Sequence, residues 1–367
     1  MATGLCGTCG GTTPVCACYV TAVADGGLYV SGDGSSGSPF ALGAKNRLAL
    51  PNPVRNPSGL IAQRGTSVSI AGAAQGTLDG WIGYRGGSVA GMTVSRAAVV
   101  DTQGAAHAIH VQRDSGNSGV QVLNLAQALT TLNSLKYAGK QITFSFRAAK
   151  GADFSAAAST LPVYLLYGTG TDQSYSNGIT GQATLATVNA VLSTSLATYS
   201  ATVNVPSNAT QLHIVPIYTP VGTAGAADYY RIKDVRIDEG AYALPHSEPD
   251  DDAQLHRAQF FFHRVGGTNL DHIGIGLASL TTKGEVHIPF PRTMRAIPTL
   301  TVGNVAHFTV YDAAVSNVSS AVAFLAGPNQ TKYHAIVAFT TTGLTVGRAI
   351  RVYASGASGY LDFSAEI

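Results

Sequence analysis

Apolar and polar residues alternate along most of the chain between residues 58 and 244. In "AIHVQR", Ile109 and Val111 alternate with His110 and Gln112; in "ITFSFRA", Ile142, Phe144 and Phe146 alternate with Thr143, Ser145 and Arg147. "VYLLY", "YSATVNV", "LHIVPIY" and "YYRIKDVRID" follow, separated by Gly, Asn, Asp and Pro. A period of two, broken repeatedly by turn residues, predicts an antiparallel β-sandwich, jelly-roll-like, rather than a parallel sheet with crossover helices. One segment departs from it. Leu125, Leu129, Leu132 and Leu135 share a helical face within 124–136, which predicts a short helix capping one end of the sandwich.

The strongest helix signal is "LPHSEPDDDAQLHRAQFFFHRVGG", from Leu244 to Gly267. Ser247 is a candidate cap, Pro249 suits a first turn, and Asp250, Asp251 and Asp252 suit the positive helix start. His256, Arg257, His263 and Arg264 lie toward the negative end, and Gly266 and Gly267 supply a stop. Leu255, Ala258, Phe261, Phe262 and Val265 recur at helical spacing. The expectation is a short connecting helix over 245–267. Three consecutive phenylalanines must be covered by something, so Leu255, Phe260, Phe261 and Phe262 mark a joint buried against a neighbouring domain or subunit. Covering each Phe stabilises by roughly 1.5–3 kcal/mol.

Beyond the helix, "HIGIGL", "EVHIPF", "TLTVG", "HFTVYD", "AVAFL", "HAIVAF", "AIRVYA" and "YLDFSAEI" predict a second antiparallel β domain over 268–367. Leu361, Phe363, Ala365 and Ile367 share one face, so the last strand is expected to be tied into a sheet. At the other end, residues 1–50 are rich in Gly, Ser and Thr, with a strand and turn between Leu28 and Leu42. Pro51, Pro53 and Pro57 then read as a stiff linker opening the sandwich, 51–244.

Composition narrows the function. Charged residues make up 11% and there are 42 glycines, which favours β-structure with tight turns. Net charge is +2 with no Lys or Arg run, so nucleic acid is not an expected partner. No apolar run reaches membrane-spanning length, and the first residues lack a basic region followed by a hydrophobic stretch. The expectation is synthesis in a cytoplasm, no export signal of its own and no membrane insertion.

Candidate chemistry is sparse. Cys6, Cys9, Cys16 and Cys18 form one CxxC and one CxC, six residues apart. Thiolates at that spacing suit zinc or an iron–sulfur site; inter-subunit disulfides and an unstructured end are the alternatives. Asp228, Asp234, Asp238 and Glu239 cluster near the end of the sandwich, where a Ca²⁺ site or a solvated turn explains them more simply than a glycosidase pair facing across a cleft. The histidines are scattered, and no nucleophile-elbow or phosphate-loop pattern occurs. Trp81, with Tyr84 and Arg85 nearby, is either a sugar-stacking platform or core. Tyr353 and Tyr360 are further candidates for contact with a receptor or glycan.

Several stretches resemble one family in order and spacing. "NPSGLIAQRGTS" (Asn56 to Ser67) followed by "LDGWIGYR" (Leu78 to Arg85) resembles the opening of a carbohydrate-binding-module-like domain of bacteriophage fibre proteins, with Gln63, Arg64 and Gly65 and then Asp79 and Trp81 matching its motifs. "HVQRDSG", "AGKQITFSFRA" and "IKDVRIDEG" resemble its later strands. "IPFPRTMRAIPTL" (Ile288 to Leu300) and "FSAEI" resemble the end domain of tail-fibre and head-fibre proteins, and "VSGDGSSGSPF" (Val30 to Phe40) a segment near the start of such proteins. The resemblance spans about three quarters of the chain. Asp-Gly-Trp stands where the family has Asp-Arg-Trp, and phenylalanines stand where its helix has paired tyrosines.

The resemblance implies a non-enzymatic virion protein assembled in the bacterial host cytoplasm: a homotrimeric tail fibre whose N-terminal segment docks on other virion proteins. Its partners would be copies of itself and a host-surface glycan or protein receptor, with multivalency supplying the avidity. A head fibre or decoration protein and a polysaccharide-degrading tail spike are the alternatives. A trimer would also bury the phenylalanines together. If the cysteines hold metal, elemental analysis of freshly purified, reduced protein gives about one metal per chain; finding none would remove the metal reading.

Overall fold

The alternating segments pair antiparallel in every sheet of the computed structural model, which describes residues 28–31, 41–44, 52–70, 74–86, 91–100, 105–245, 250–313, 316–325 and 330–367. The chain divides into two units, Met1–Pro51 and Asn52–Ile367. In the first, Leu28–Ser31 pairs with Ala41–Ala44. The four cysteines lie outside the described residues, as do His246 to Pro249 with the candidate cap Ser247.

The second unit begins with a sandwich of two six-stranded sheets. In spatial order the first sheet holds Ala183–Val191, Thr160–Gly168, Gln211–Tyr218, Leu123–Ala128, Ile82–Arg85 and Gln75–Gly76. The second holds Ala197–Asn204, Gln141–Lys150, Tyr229–Glu239, His107–Arg113, Met92–Ala98 and Ser67–Ile70. Leu123, Leu125, Leu161, Val163, Leu165, Leu212 and Ile214 of one meet Met92, Val94, Ile109, Val111, Ile142, Phe144, Phe146 and Ile232 of the other in a single core. The apolar period-two residues are therefore the ones that fill the core between the sheets, as side chains on alternate faces require.

The opening segment is pinned under this core. Asn56, at φ 47°, bonds through its side chain to the Ile61 carbonyl and N–H and to the Asp79 carbonyl, and its own carbonyl accepts from the Trp81 indole at 3.0 Å. Gly59, at φ 74°, leaves no room for a side chain: a Cβ there would stand 2.8 Å from Leu78. At the far strand, the register shifts between Lys233 and Arg236 around Asp234. Asp234 takes a left-handed φ of 54° and exchanges hydrogen bonds with Ser58.

Two helix expectations need correction. Within 124–136 the helix covers only Thr131–Leu135, capped by Thr130. Leu123–Ala128 is a strand buried on both faces, and such strands give no alternation to distinguish them from helix. The connecting helix runs only over Asp251–Ala258, with Asp250 as its cap, accepting from the Ala253 N–H at 2.9 Å. Phe262–Gly266 is instead a strand, because the Tyr360–Ser364 strand is there to pair with it. That long-range ladder overrides local helical spacing.

Thr299–Val302 completes the three-stranded sheet on the other side of Tyr360–Ser364. The remaining sheet has seven strands: Ser316–Val318, Phe308–Tyr311, Ala349–Ala354, His272–Leu280, Lys283–Pro289, His334–Thr340 and Ala321–Phe324. Val286, Phe308, Val310, Val337, Phe339, Val352, Leu361 and Phe363 fill the core between these two sheets.

The phenylalanines sit where the sandwich meets this second β region, and arginines of the same chain cover them. Arg55 lies over Phe261 at 3.8 Å, Arg64 over Phe262 at 3.5 Å and Arg292 over Phe260 at 5.0 Å. Phe261 and Phe262 are buried, while Leu255 and Phe260 are half-buried. Of the two covers expected above, a neighbouring domain or a neighbouring subunit, residues of the same chain supply the first. Arg64 also binds Glu366 at 2.5 Å, Gln63 donates to the Phe262 carbonyl, and Arg295 joins Asp172 to the carbonyls of Ala365 and Glu366. Phe262→Ala should therefore cost about 3–5 kcal/mol in chemical denaturation, the range for a large buried aromatic. A loss under 1 kcal/mol would show that this packing is dispensable.

Candidate functional site

The outward face of the sandwich's first sheet carries a cleft of suitable size. Strand register places Tyr84 opposite Asn124 and Asn124 opposite Ile217; in the next row Ile82 lies opposite Ala126. Ala126, Leu166 and Val215 are buried on this face beneath Tyr164, Tyr175, Ile179 and Ile217. Burial, and then the neighbouring Tyr84 and Tyr164, push the Tyr175 hydroxyl above its ordinary value.

A cleft of about 380 Å³ opens at the Gln75–Gly76 edge of this face. Tyr84 and Ile82 give it an apolar side, Gln75, Ser174, Ser176 and Asn177 a polar rim, and Glu366 and Ile367 close it. The turn over Tyr175–Asn177 brings its serines and amide to the rim. Glu366 is held in place by Arg64 and by the Gly80 N–H at 3.3 Å. Gly76 permits that arrangement, since a Cβ there would lie 2.7 Å from the Arg64 guanidinium carbon. Small-ligand sites typically enclose about 300–1,000 Å³, mix aromatic walls with a few placed polar groups, and are concave. This cleft has the volume, one aromatic wall and the placed polar groups, and it is shallow. Its hydroxyls and amides both donate and accept, which suits a ligand rich in hydroxyl groups.

The other expected contact residues scatter. Trp81 is fully buried, with its N–H bonded to Asn56, so its ring is core and not a platform. Tyr84 lies three positions further on, an odd offset that sends the two side chains to opposite faces of the sheet. Tyr360 lies beneath Arg264 at 3.8 Å, opposite Gly266 in the three-stranded sheet. Tyr353 is on the seven-stranded sheet, opposite His272 and Thr309.

The acidic cluster does not converge. Asp228 pairs with Arg113, Asp234 with Arg147, Asp238 with Arg236 and Glu239 with Lys140. Each carboxylate faces a cation, and Asp228, Asp234 and Asp238 are buried, so they do not form the solvated turn that was one of the two expectations for them. Among the described residues no group of three or more His, Cys, Asp or Glu is placed to hold a metal. No helix there is long and apolar enough to cross a membrane.

Gln75, Ser174, Ser176, Asn177 and Glu366 were not singled out by the sequence. The Ser- and Asn-rich turn in "DQSYSNG" was the available signal, and it reads equally well as an ordinary loop.

No family model and no curated protein matches the chain. Among solved structures, the enzymatically active domain of bacteriophage CBA120 tailspike protein 4 is similar at 15% identity and a TM-score of 0.33, over 52% of this chain and 21% of that one. A CBM4 structure is similar at 15% identity and a TM-score of 0.30, over 51% of this chain and 99% of that one. The CBM22-1–CBM22-2 tandem domain of Paenibacillus barcinonensis Xyn10C gives 12% identity and a TM-score of 0.28, over 81% and 100%. At such scores these likenesses carry no argument about function.

One residue of this face contributes to a pH response. His213 is fully buried opposite Ala128 and Leu166, and neither ring nitrogen has a hydrogen-bond partner among the described residues. Burial pushes it down from 6.5 to about 4. Burial likewise takes His263 and His110 to about 4, helped at His110 by Arg231. Between 6.5 and about 4 the unfolded chain binds more protons than the folded one, so stability falls as pH falls through that window. Urea titrations followed by Trp81 fluorescence should show that decline, and His213→Leu should make it shallower. An unchanged slope in the variant would refute the assignment.

Proposed function

We infer that this chain is a glycan-binding structural protein of the bacteriophage-fibre type. It is a homotrimeric tail fibre assembled in the host cytoplasm, with residues 1–50 attaching it to other virion proteins. The Tyr84 cleft is the observation that carries the glycan reading. An aromatic wall stacks on the C–H face of a sugar ring while Gln75, Ser174, Ser176 and Asn177 exchange hydrogen bonds with its hydroxyls. A shallow polar cleft of this kind binds weakly. Three copies per fibre and several fibres per particle raise that weak binding by avidity.

The reading is binding without cleavage. Hydrolysis of a glycosidic bond ordinarily uses two carboxyl groups flanking it. Among the described residues Glu366 is the one carboxylate lining this cleft, and its oxygens are engaged by Arg64 and Gly80. The virion assignment itself rests on the ordered motifs of the sequence.

Binding of purified full-length protein to immobilised lipopolysaccharide and capsular polysaccharide of candidate hosts tests the reading. Loss of stacking on the order of 1 kcal/mol per site corresponds to about a fivefold weakening, which avidity multiplies across a trimer. Tyr84→Ala is expected to show at least that loss with Trp81 fluorescence unchanged. Equal binding by the variant would move the site elsewhere, and no binding to any polysaccharide by the wild type would overturn the glycan reading.

A further inference from the structure

The turn that carries the polar rim of the cleft ends on the chain's one Asn-Gly pair, Asn177–Gly178. Asparagine before glycine is the pairing from which a side-chain amide is lost most readily, because glycine has no side chain to hold its backbone nitrogen away from the amide carbon. Both residues are exposed. Gly178 has φ 85°, and a Cβ placed on it would meet nothing within 4 Å. Its N–H makes a long bond to the Tyr175 carbonyl, at 3.4 Å, and the Asn177 N–H one of 3.2 Å to the Ser174 carbonyl. Rotating this short turn toward ring closure therefore gives up little hydrogen bonding. Ser176 Oγ donates to Asn177 Oδ1 at 3.5 Å, which draws electrons from the carbon to be attacked.

Three other asparagines show the contrast. After Asn133, the Ser134 N–H is bonded to the Thr130 carbonyl at 2.9 Å; after Asn204, Val205 donates to Lys140 at 2.9 Å; after Asn269, Leu270 donates to Ala354 at 2.7 Å. In each case the following residue also has a side chain that crowds the approach.

We propose that Asn177 deamidates spontaneously in the folded protein and that the product weakens ligand binding at the cleft. The effect on binding rests on the glycan reading above; the modification itself does not. In the reaction the Gly178 backbone nitrogen bonds to Asn177 Cγ, and the bond from Cγ to the side-chain nitrogen breaks. The proton of the Gly178 N–H leaves with that nitrogen as ammonia, and a succinimide remains. Water then opens the ring at one of the bonds between its nitrogen and a carbonyl carbon. Breaking the bond to Cγ gives aspartate; breaking the bond to the main-chain carbon gives isoaspartate, with the chain rerouted through Cγ. One water enters, one ammonia leaves, and nothing is oxidised or reduced.

The consequence for the cleft follows from its donors. The Asn177 amide both donates and accepts, whereas a carboxylate only accepts. The new charge also enters a cleft that Glu366 already lines. A sugar hydroxyl that accepted from the amide loses its partner, which weakens binding by about fivefold.

The test is peptide mapping by mass spectrometry of full-length protein incubated at mildly alkaline pH, which favours loss of the backbone amide proton. The peptide carrying Asn177 is expected to gain the mass of an oxygen exchanged for NH. An intact Asn177 in the folded protein, under conditions that convert it in the urea-unfolded chain, would overturn the proposal. Binding of the aged protein to a polysaccharide that fresh protein binds is expected to fall about fivefold, with Trp81 fluorescence unchanged, and Asn177→Asp is expected to be weakened likewise. Asn177→Gln, whose closure needs a larger ring, is expected to keep its own starting affinity through the same incubation. Conversion at Asn177 with undiminished binding would overturn the effect on the cleft and leave the glycan reading standing. Fresh protein that binds no polysaccharide would overturn the glycan reading and that effect with it, while conversion at Asn177 would still uphold the modification.

Discussion

The second unit depends on a small set of arginines that turn apolar and acidic side chains of its later residues into partners for its earlier ones. Arg55 and Arg64 come from the segment that opens the sandwich; Phe261, Phe262 and Glu366 come from its far end. A guanidinium is suited to the task because its flat face packs on an aromatic ring while its edge keeps donating. Arg55 does both, lying on Phe261 and donating to the carbonyls of Gly80 and Ala128. Burial lowers its affinity for a proton to a value of about 10, which leaves it charged at neutral pH. Removing either member of the Arg64–Glu366 pair would leave the other's charge largely buried and unpaired, and that asymmetry makes the junction demanding.

The junction also gives the cleft its shape. Glu366 reaches the cleft wall because Arg64 and the Gly80 N–H hold it, and Arg295 ties the backbone at Ala365 and Glu366 to Asp172, just before the Tyr175–Asn177 turn. Cleft-lining groups from both β regions are thereby fixed by the same bonds that join the regions. Preorganisation of this kind reduces what a weakly bound ligand must order.

The sequence disclosed the β architecture because period-two alternation reports directly on which face is buried. The residues Gln63, Arg64, Asp79 and Trp81 were visible as a motif, but not their purpose. They gather at the junction and the core beside it: Gln63 binds both Asp79 and the Phe262 carbonyl, and Arg64 covers Phe262. Misreadings arose where partners are distant in sequence. Phe262–Gly266 has helical spacing of its own and becomes a strand through pairing with Tyr360–Ser364. The cleft draws on residues near 75, 84, 175 and 366, so no local pattern could announce it. The phenylalanines invited an intersubunit explanation because their covering arginines, Arg55 and Arg64, lie about two hundred residues away.

If the arginine junction makes one cooperative body of residues 52–367, both β regions must unfold together. The direct measurement is thermal unfolding followed by calorimetry and by fluorescence of Trp81, which lies in the sandwich core. A single calorimetric transition that coincides with the Trp81 signal, moving with it to lower temperature in Arg64→Met, is the result this account requires. A separate transition for the C-terminal β region, leaving the Trp81 signal undisturbed, would contradict it.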